Sequence, residues 1–378
     1  VSAGVLAAIV GFASAFAIVI AGFRAVGASP DQAASGLFAV TLGMGVLTLL
    51  LTLTSRMPIV VAWSTPGAAL LIATGPVSGG VEAAVGAFLV AAALVVVAGL
   101  WRPFGRLVSA IPLPLAGAML AGVLLDLCLA PVRAVGEMPA LALPIVVAWA
   151  VMLRLSRLYA VPVAVLLTAV LVVTATDVPA DALAHPLPVI VPVWPSFGLD
   201  ALTGIALPLF VVTMASQNVP GFAVLAVNGY RPDAPRIFVW TGMGSVLTAF
   251  AGGHTLNLAA ITAALCAGPE ADPDPARRWI AGVANGVAGI ILALAAGFAA
   301  AFIAASPPLL IQAVAGLALL GSLSGALAGS LAKEEDRIPA VVTFVTAASG
   351  VSFQGIGPAF WGLVAGGAVM GLLRLRRD

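Results

Sequence analysis

Charge is what this sequence has least of. Only 8% of its 378 residues are Asp, Glu, Lys or Arg, where a soluble domain carries about a quarter. Histidine and cysteine are scarcer still, with two of each. Sixteen Lys and Arg against fifteen Asp and Glu leave a net charge of +1. No basic cluster tracks a phosphate backbone, so nucleic acid is not indicated as a partner. No nucleophile–base pair or metal-ligand spacing appears, which speaks against an enzyme and leaves no cofactor or metal to place. Cys128 and Cys266 fall in or beside apolar stretches and read as small hydrophobes rather than a disulfide. No cleavable signal peptide is visible. The chain opens inside an apolar segment without an initiator Met, which reads as a trimmed sequence.

What is abundant is apolar surface: 62% of the residues are hydrophobic and the mean hydropathy is +1.18. A hydrocarbon core about 30 Å thick takes roughly 20 apolar residues per helical span. Apolar segments lie near 1–23, 33–54, 58–75, 81–100, 107–129, 139–153 and 158–176. A polar, Pro-rich stretch from Asp177 to Asp200 follows, and a second set lies near 201–218, 236–251, 253–267, 277–304, 308–331, 338–352 and 356–373. The reading is an all-α polytopic membrane protein of 14 transmembrane segments, seven plus seven, with the lipid bilayer as its solvent.

The basic residues test that count, because cytoplasmic loops carry the Lys and Arg. Arg56, Arg102, Arg106, Arg154, Arg157, Arg231, Arg236, Arg277, Arg278, Lys333, Arg337, Arg374, Arg376 and Arg377 fall on one side, and only Arg24 and Arg133 on the other. Both termini are therefore expected in the cytoplasm. Seven is odd, so the second half enters from the opposite side, and similar halves would be inverted repeats. Ile111-Pro112-Leu113-Pro114 with Ala121–Leu125 resembles Ser306-Pro307-Pro308-Leu309 with Ala315–Leu319, each in the fifth span of its half.

The third and tenth spans read as broken. Val60-Val61-Ala62-Trp63 favours an extended chain. Ser64-Thr65-Pro66 then reads as a helix start, with a hydroxyl cap followed by proline, and Gly67 follows in the first turn. Gly75-Pro76 ends that helix. In the second half Gly252-Gly253 gives the entry, Thr255 is the expected cap, and Leu256 and Asn257 lead into a helix running to Gly268-Pro269. Two helix N-termini meeting at mid-bilayer would offer free N–H groups and partial positive charge to an anion without any Lys or Arg. The competing reading is that Pro66 merely kinks a packed helix.

Polar side chains at that depth are few. Gln217 and Asn218 are adjacent amides in an apolar helix, costly unless bonded, and serve either a substrate or a neighbouring helix. His254 precedes the second broken helix and is the group suited to proton coupling or substrate binding, or else a neutral ring bonded to backbone. Ser14, Asn257 and Gln312 are further candidates. Phe12, Phe16, Phe210 and Phe360 could supply an aromatic wall. Gly321, Gly325 and Gly329 form a ridge that reads as close helix packing.

The strings Ala62–Leu70, Leu207–Asn218 and Leu258–Ala264, with Phe360-Trp361-Gly362 near the end, resemble the bacterial benzoate transporter (BenE) family over essentially the whole chain. That resemblance implies proton-coupled uptake of benzoate or a related aromatic carboxylate across the bacterial inner membrane. More distantly the layout is similar to the uracil permease and sulfate transporter superfamily. This implies a substrate-holding core, residues 1–104 and 199–304, moving by alternating access against a gate, residues 105–198 and 305–378, which is often a homodimer contact. Where uracil permeases place acidic residues on the eighth and tenth spans, this chain has Gln217 and His254, a departure that suits an anion. A nucleobase permease or an anion channel of the same fold are the rivals.

Overall fold

Helix starts in this chain are written by local chemistry. Ser29 and Gln32 form a reciprocal capping box ahead of Pro30, each side chain bonding the other's backbone N–H. The helix they open, α2 (Pro30–Ser55), follows α1 (Ser2–Ala25). The computed structural model describes residues 1–101, 112–175, 188–259, 261–351, 353 and 358–375. The first half continues with β1 (Val61–Trp63), α3 (Thr65–Thr74), α4 (Gly80–Leu100), α5 (Leu113–Glu137), α6 (Pro139–Leu155) and α7 (Ala160–Ala175). The second half has α8 (Leu199–Val227), α9 (Ala234–Ala249), β2 (Leu256–Leu258), α10 (Ile261–Ala267), α11 (Trp279–Ala293), α12 (Ala296–Ala305), α13 (Pro308–Ser330), α14 (Arg337–Ala348) and α15 (Pro358–Leu375). The inter-repeat stretch over 176–187, the expected core–gate boundary at 104–105, and Arg102, Arg106, Arg376 and Arg377 lie outside the described residues.

Each expected span contains a helix, but the helices differ in length. Among the described residues six are long and apolar enough to cross a membrane: α1, α2, α4, α5, α8 and α13. A seventh arises if α11 with its preceding turn and α12, bent by 56° at their junction, form one span. Helix length alone thus supports fewer spans than the fourteen expected.

The tenth segment departs from its expected form. Thr255 caps no helix; Leu256, Asn257 and Leu258 pair antiparallel with Trp63, Ala62 and Val61. Ser64 N–H donates to Thr255 O (3.1 Å) and Ala259 N–H to Val60 O (2.9 Å), lengthening the ribbon at both ends. The helix that follows is α10, beginning at Ile261 after Ala260, which lies outside the described residues. Pairing with a strand nearly two hundred residues away overrides the local capping signal.

A two-stranded ribbon inside an apolar protein has bare edges, and unpaired backbone groups there are costly. Side chains close them here. Thr48 of α2 accepts from Val61 N–H (2.9 Å), Ser245 of α9 from Leu256 N–H (2.8 Å), and Asn218 of α8 from Leu258 N–H (2.9 Å). Helices α4 and α9 pack along one another, as do α2 and α11, and α5 lies along α13 and α14.

Candidate functional site

The site is built where the ribbon ends. Ser64 caps α3 by accepting from Gly67 N–H (3.0 Å), with Pro66 in the first turn, as expected from the sequence. Ala68 N–H is taken by Ser64 O and Pro66 has no N–H, so Thr65 N–H is the one unclaimed donor of that turn among the described residues. Gly67 lets α3 sit close to α8, since a Cβ there would stand 2.6 Å from Leu209 Cδ1.

Helix α8 supplies the facing wall. It contains two π-helical turns, Leu202–Ala206 and Thr213–Asn218. Pro208 and Pro220 account for their positions: each lacks the N–H that would bond the carbonyl four residues back, Gly204 and Ser216, and each ring crowds that carbonyl. Such turns recur at functional sites because they re-aim side chains. Here the second carries Ser216 and Gln217.

These elements enclose a cavity of about 220 Å³. Thr65, the first residue of α3, and Thr262, the second of α10, both line it, so the two helix starts border one space. Ser14, Ser216, Gln217, Asn285 and Ser322 complete its polar lining, and among the described residues no charged side chain contributes. Asn285 donates from Nδ2 to Gly4 O (3.2 Å), and Ser14 to Gly11 O (3.2 Å). Gln217 makes no side-chain hydrogen bond among the described residues, leaving its amide free. Phe12 and Trp63 form the aromatic wall, with ring centroids 5.8 Å apart, and Phe16 stacks behind Phe12 at 5.5 Å. A second cavity of about 470 Å³ begins at the same Ser216, Gln217 and Ser322 and is also lined by Pro66.

Of the residues singled out in the sequence, Phe12, Ser14, Thr65 and Gln217 therefore meet at one cavity, with Pro66 at its neighbour. The others are placed elsewhere. Asn218 is spent on the Leu258 N–H. Thr255 bonds Thr213 side chain to side chain (2.9 Å), and Leu256 is fully buried in the ribbon. Asn257 donates to Leu258 O, while its Oδ1 is buried without a partner among the described residues. His254 is fully buried with its ring edge-on to Phe23 (5.4 Å) and Phe88 (6.5 Å). Neither of its ring nitrogens has a hydrogen-bond partner among the described residues. Phe210 is buried in α8 and Gln312 is exposed on α13; neither lines the cavity. Trp63, Ser216, Thr262, Asn285 and Ser322 escaped the sequence reading as site residues. A lone amide in the apolar run of α11 was the available signal for Asn285. Hydroxyls in helices bond their own backbone so often that Ser216, Thr262 and Ser322 carried none.

Comparison with known proteins agrees with this architecture. Residues 1–372 match the family described as BenE, benzoate membrane transport protein. The chain is 41% identical over 382 residues to inner membrane protein YdcO of Escherichia coli (strain K12), covering 100% of this chain and 96% of that one. It is 32% identical over 369 residues to the benzoate membrane transport protein of Acinetobacter baylyi, covering 96% of this chain and 92% of that one. Its fold is similar to the transmembrane domain of a cyanobacterium bicarbonate transporter, BicA, at a TM-score of 0.62 and 14% identity, covering 96% of each chain. It is likewise similar to the murine Solute Carrier 26 family member A9 anion transporter in the inward-facing state. There the TM-score is 0.65 at 14% identity, over 100% of this chain and 69% of that one. The chain belongs to the benzoate membrane transport protein family, and it is a membrane transporter rather than an enzyme.

Proposed function

We propose that this chain is a secondary active transporter that takes up benzoate or a related aromatic carboxylate with protons, by alternating access across the bacterial inner membrane. One observation carries the reading: a small cavity bordered by two helix starts, lined by neutral hydroxyls and amides, and walled by Phe12 and Trp63. Helix N-termini favour an anion, while a lining carboxylate would repel it. An aromatic ring finds partners in the Phe12–Trp63 pair. The carboxylate sits against Thr65 N–H and the free amide of Gln217, with Thr262 and Asn285 nearby.

The fourteen-span inverted repeat, with both termini cytoplasmic and short helices in the third and tenth spans, belongs to the same proposal. Its support is the symmetry of packing. The second helix of each half lies along the fourth of the other, α2 on α11 and α9 on α4, and the two fifth helices lie on each other. The outer N–H of the first residue of each strand is closed by a hydroxyl from the second helix of its own half, Thr48 for Val61 of β1 and Ser245 for Leu256 of β2. Residues 1–104 and 199–304 then form the core and residues 105–198 and 305–378 the gate.

The proton is assigned to His254. It lines neither of these two cavities, so it acts behind the ribbon rather than on the substrate. Its ring nitrogens meet no partner at hydrogen-bonding geometry among the described residues, while the backbone of Ser64 lies beside the ring, so a proton gained there can be held by the end of the ribbon. The test is benzoate binding to purified protein, followed by uptake into proteoliposomes with and without an imposed pH gradient. Saturable binding and gradient-dependent uptake support the proposal. Displacement of benzoate by uracil, or uptake that never saturates, overturns it.

A further inference from the structure

The second cavity has a direction. It starts where the substrate site ends, at Ser216, Gln217 and Ser322, and runs between α5, α8 and α13 to Gly329. Seven residues of α13 separate Ser322 from Gly329, about 10 Å along the axis. Each wall points towards a basic flank: α13 is followed by Lys333 and Arg337, α8 by Arg231 and Arg236, and α5 is preceded in sequence by Arg102 and Arg106. All three flanks fall on the side that the charge bias assigns to the cytoplasm.

The glycines of α13 were expected to pack a helix closely, and the structure corrects this. Among the described residues nothing lies within 4 Å of where a Cβ would stand on Gly321, Gly325 or Gly329. The close approach of α5 to α13 is made instead by Gly117, where a Cβ would stand 2.7 Å from Ser330 Oγ. Glycine weakens a helix relative to alanine, and what sets Gly325 and Gly329 apart from the equally unpacked Gly321 is the space they border. Gly325 and Gly329 face the second cavity, where any side chain would occupy its bore.

We infer that this second cavity is the cytoplasmic passage of the substrate site, and that Gly325 and Gly329 set its width. The inference rests on the sidedness and substrate given under the proposed function. Benzoate leaves the neutral pocket past Gln217 and Ser322, slides along the bare face of α13 between Pro220 and Gly117, and reaches water beside Lys333. Larger side chains at either glycine narrow the passage without touching the polar groups that hold the carboxylate.

Two measurements test this. In a Cys128→Ala, Cys266→Ala background, Gly325→Cys and Gly329→Cys are treated in oriented membrane vesicles with a charged, membrane-impermeant thiol reagent. Labelling from the cytoplasmic face, slowed severalfold by benzoate, is expected, with Gly321→Cys, which lines neither cavity, insensitive to benzoate. Separately, Gly325→Leu is expected to bind benzoate like the parent while uptake falls roughly tenfold or more, the signature of a lost step rather than a lost contact. Gly325→Ala reports on folding and keeps most of the uptake. Absence of cytoplasmic labelling at both positions overturns the passage. So does labelling that ignores benzoate in protein shown to bind it, or full uptake by Gly325→Leu. If benzoate does not bind at all, the proposed substrate fails, and the sidedness of labelling still decides the passage.

Discussion

At the scale of single residues, Gln217 and Asn218 show how neighbours of like chemistry divide their work. Asn218 accepts from Leu258 N–H, closing a strand edge that lipid and apolar side chains cannot solvate. Gln217, one step round the π turn, keeps its amide for the cavity. Asn218→Ala leaves a buried N–H unpaired and is expected to cost about 1–3 kcal/mol of stability, read as a lowered thermal midpoint in detergent. Gln217→Ala is expected to leave that midpoint in place and weaken benzoate binding, by about 1.5–3 kcal/mol for a lost bond to a charged group. The sequence marks both amides as expensive in an apolar helix but does not say which one a neighbouring strand will consume. That depends on β2, whose existence depends on β1. His254 was legible as an oddity for the same reason of cost, whereas its place behind the ribbon, between Phe23 and Phe88, was not. His254→Gln is expected to keep benzoate affinity and to lose accumulation driven by a pH gradient. Gradient-driven accumulation that persists would place the proton on the substrate instead.

At the scale of elements, what could be read was what local chemistry decides. The start of α3 is written in Ser64-Thr65-Pro66 and its end in Gly75, whose positive φ of 68° suits glycine. Ser64→Ala is expected to cost about 1 kcal/mol through loss of the cap, measurable as a lower midpoint of thermal unfolding. The matching segment of the second half misleads because its strand is made by a distant partner. Thr255 has the side chain of a cap, yet its carbonyl takes Ser64 N–H and its hydroxyl meets Thr213. The π turns of α8 were hidden for a related reason. Pro208 and Pro220 announce a disturbance, but whether a helix kinks, ends or widens depends on what it packs against. The small-residue ridge of α13 is the converse case, a pattern read as contact that turns out to border open space.

At the scale of the whole molecule, composition and the one-sided basic residues identify a polytopic membrane protein, because the solvent imposes itself on every span. Which side chains converge is a property of the packing between halves, and there the sequence is nearly silent. Ser14 of α1, Thr65 of α3, Gln217 of α8, Thr262 of α10 and Asn285 of α11 come from five helices and meet only through the antiparallel ribbon. The account as a whole stands on this neutral pocket being a carboxylate site. Titrating benzoate into the purified parent protein and Gln217→Ala tests it most directly. Saturable binding by the parent, weakened about tenfold or more in the variant with an unchanged thermal midpoint, is the predicted result. Equal affinity in the two proteins, or no benzoate binding by the folded parent, would contradict it.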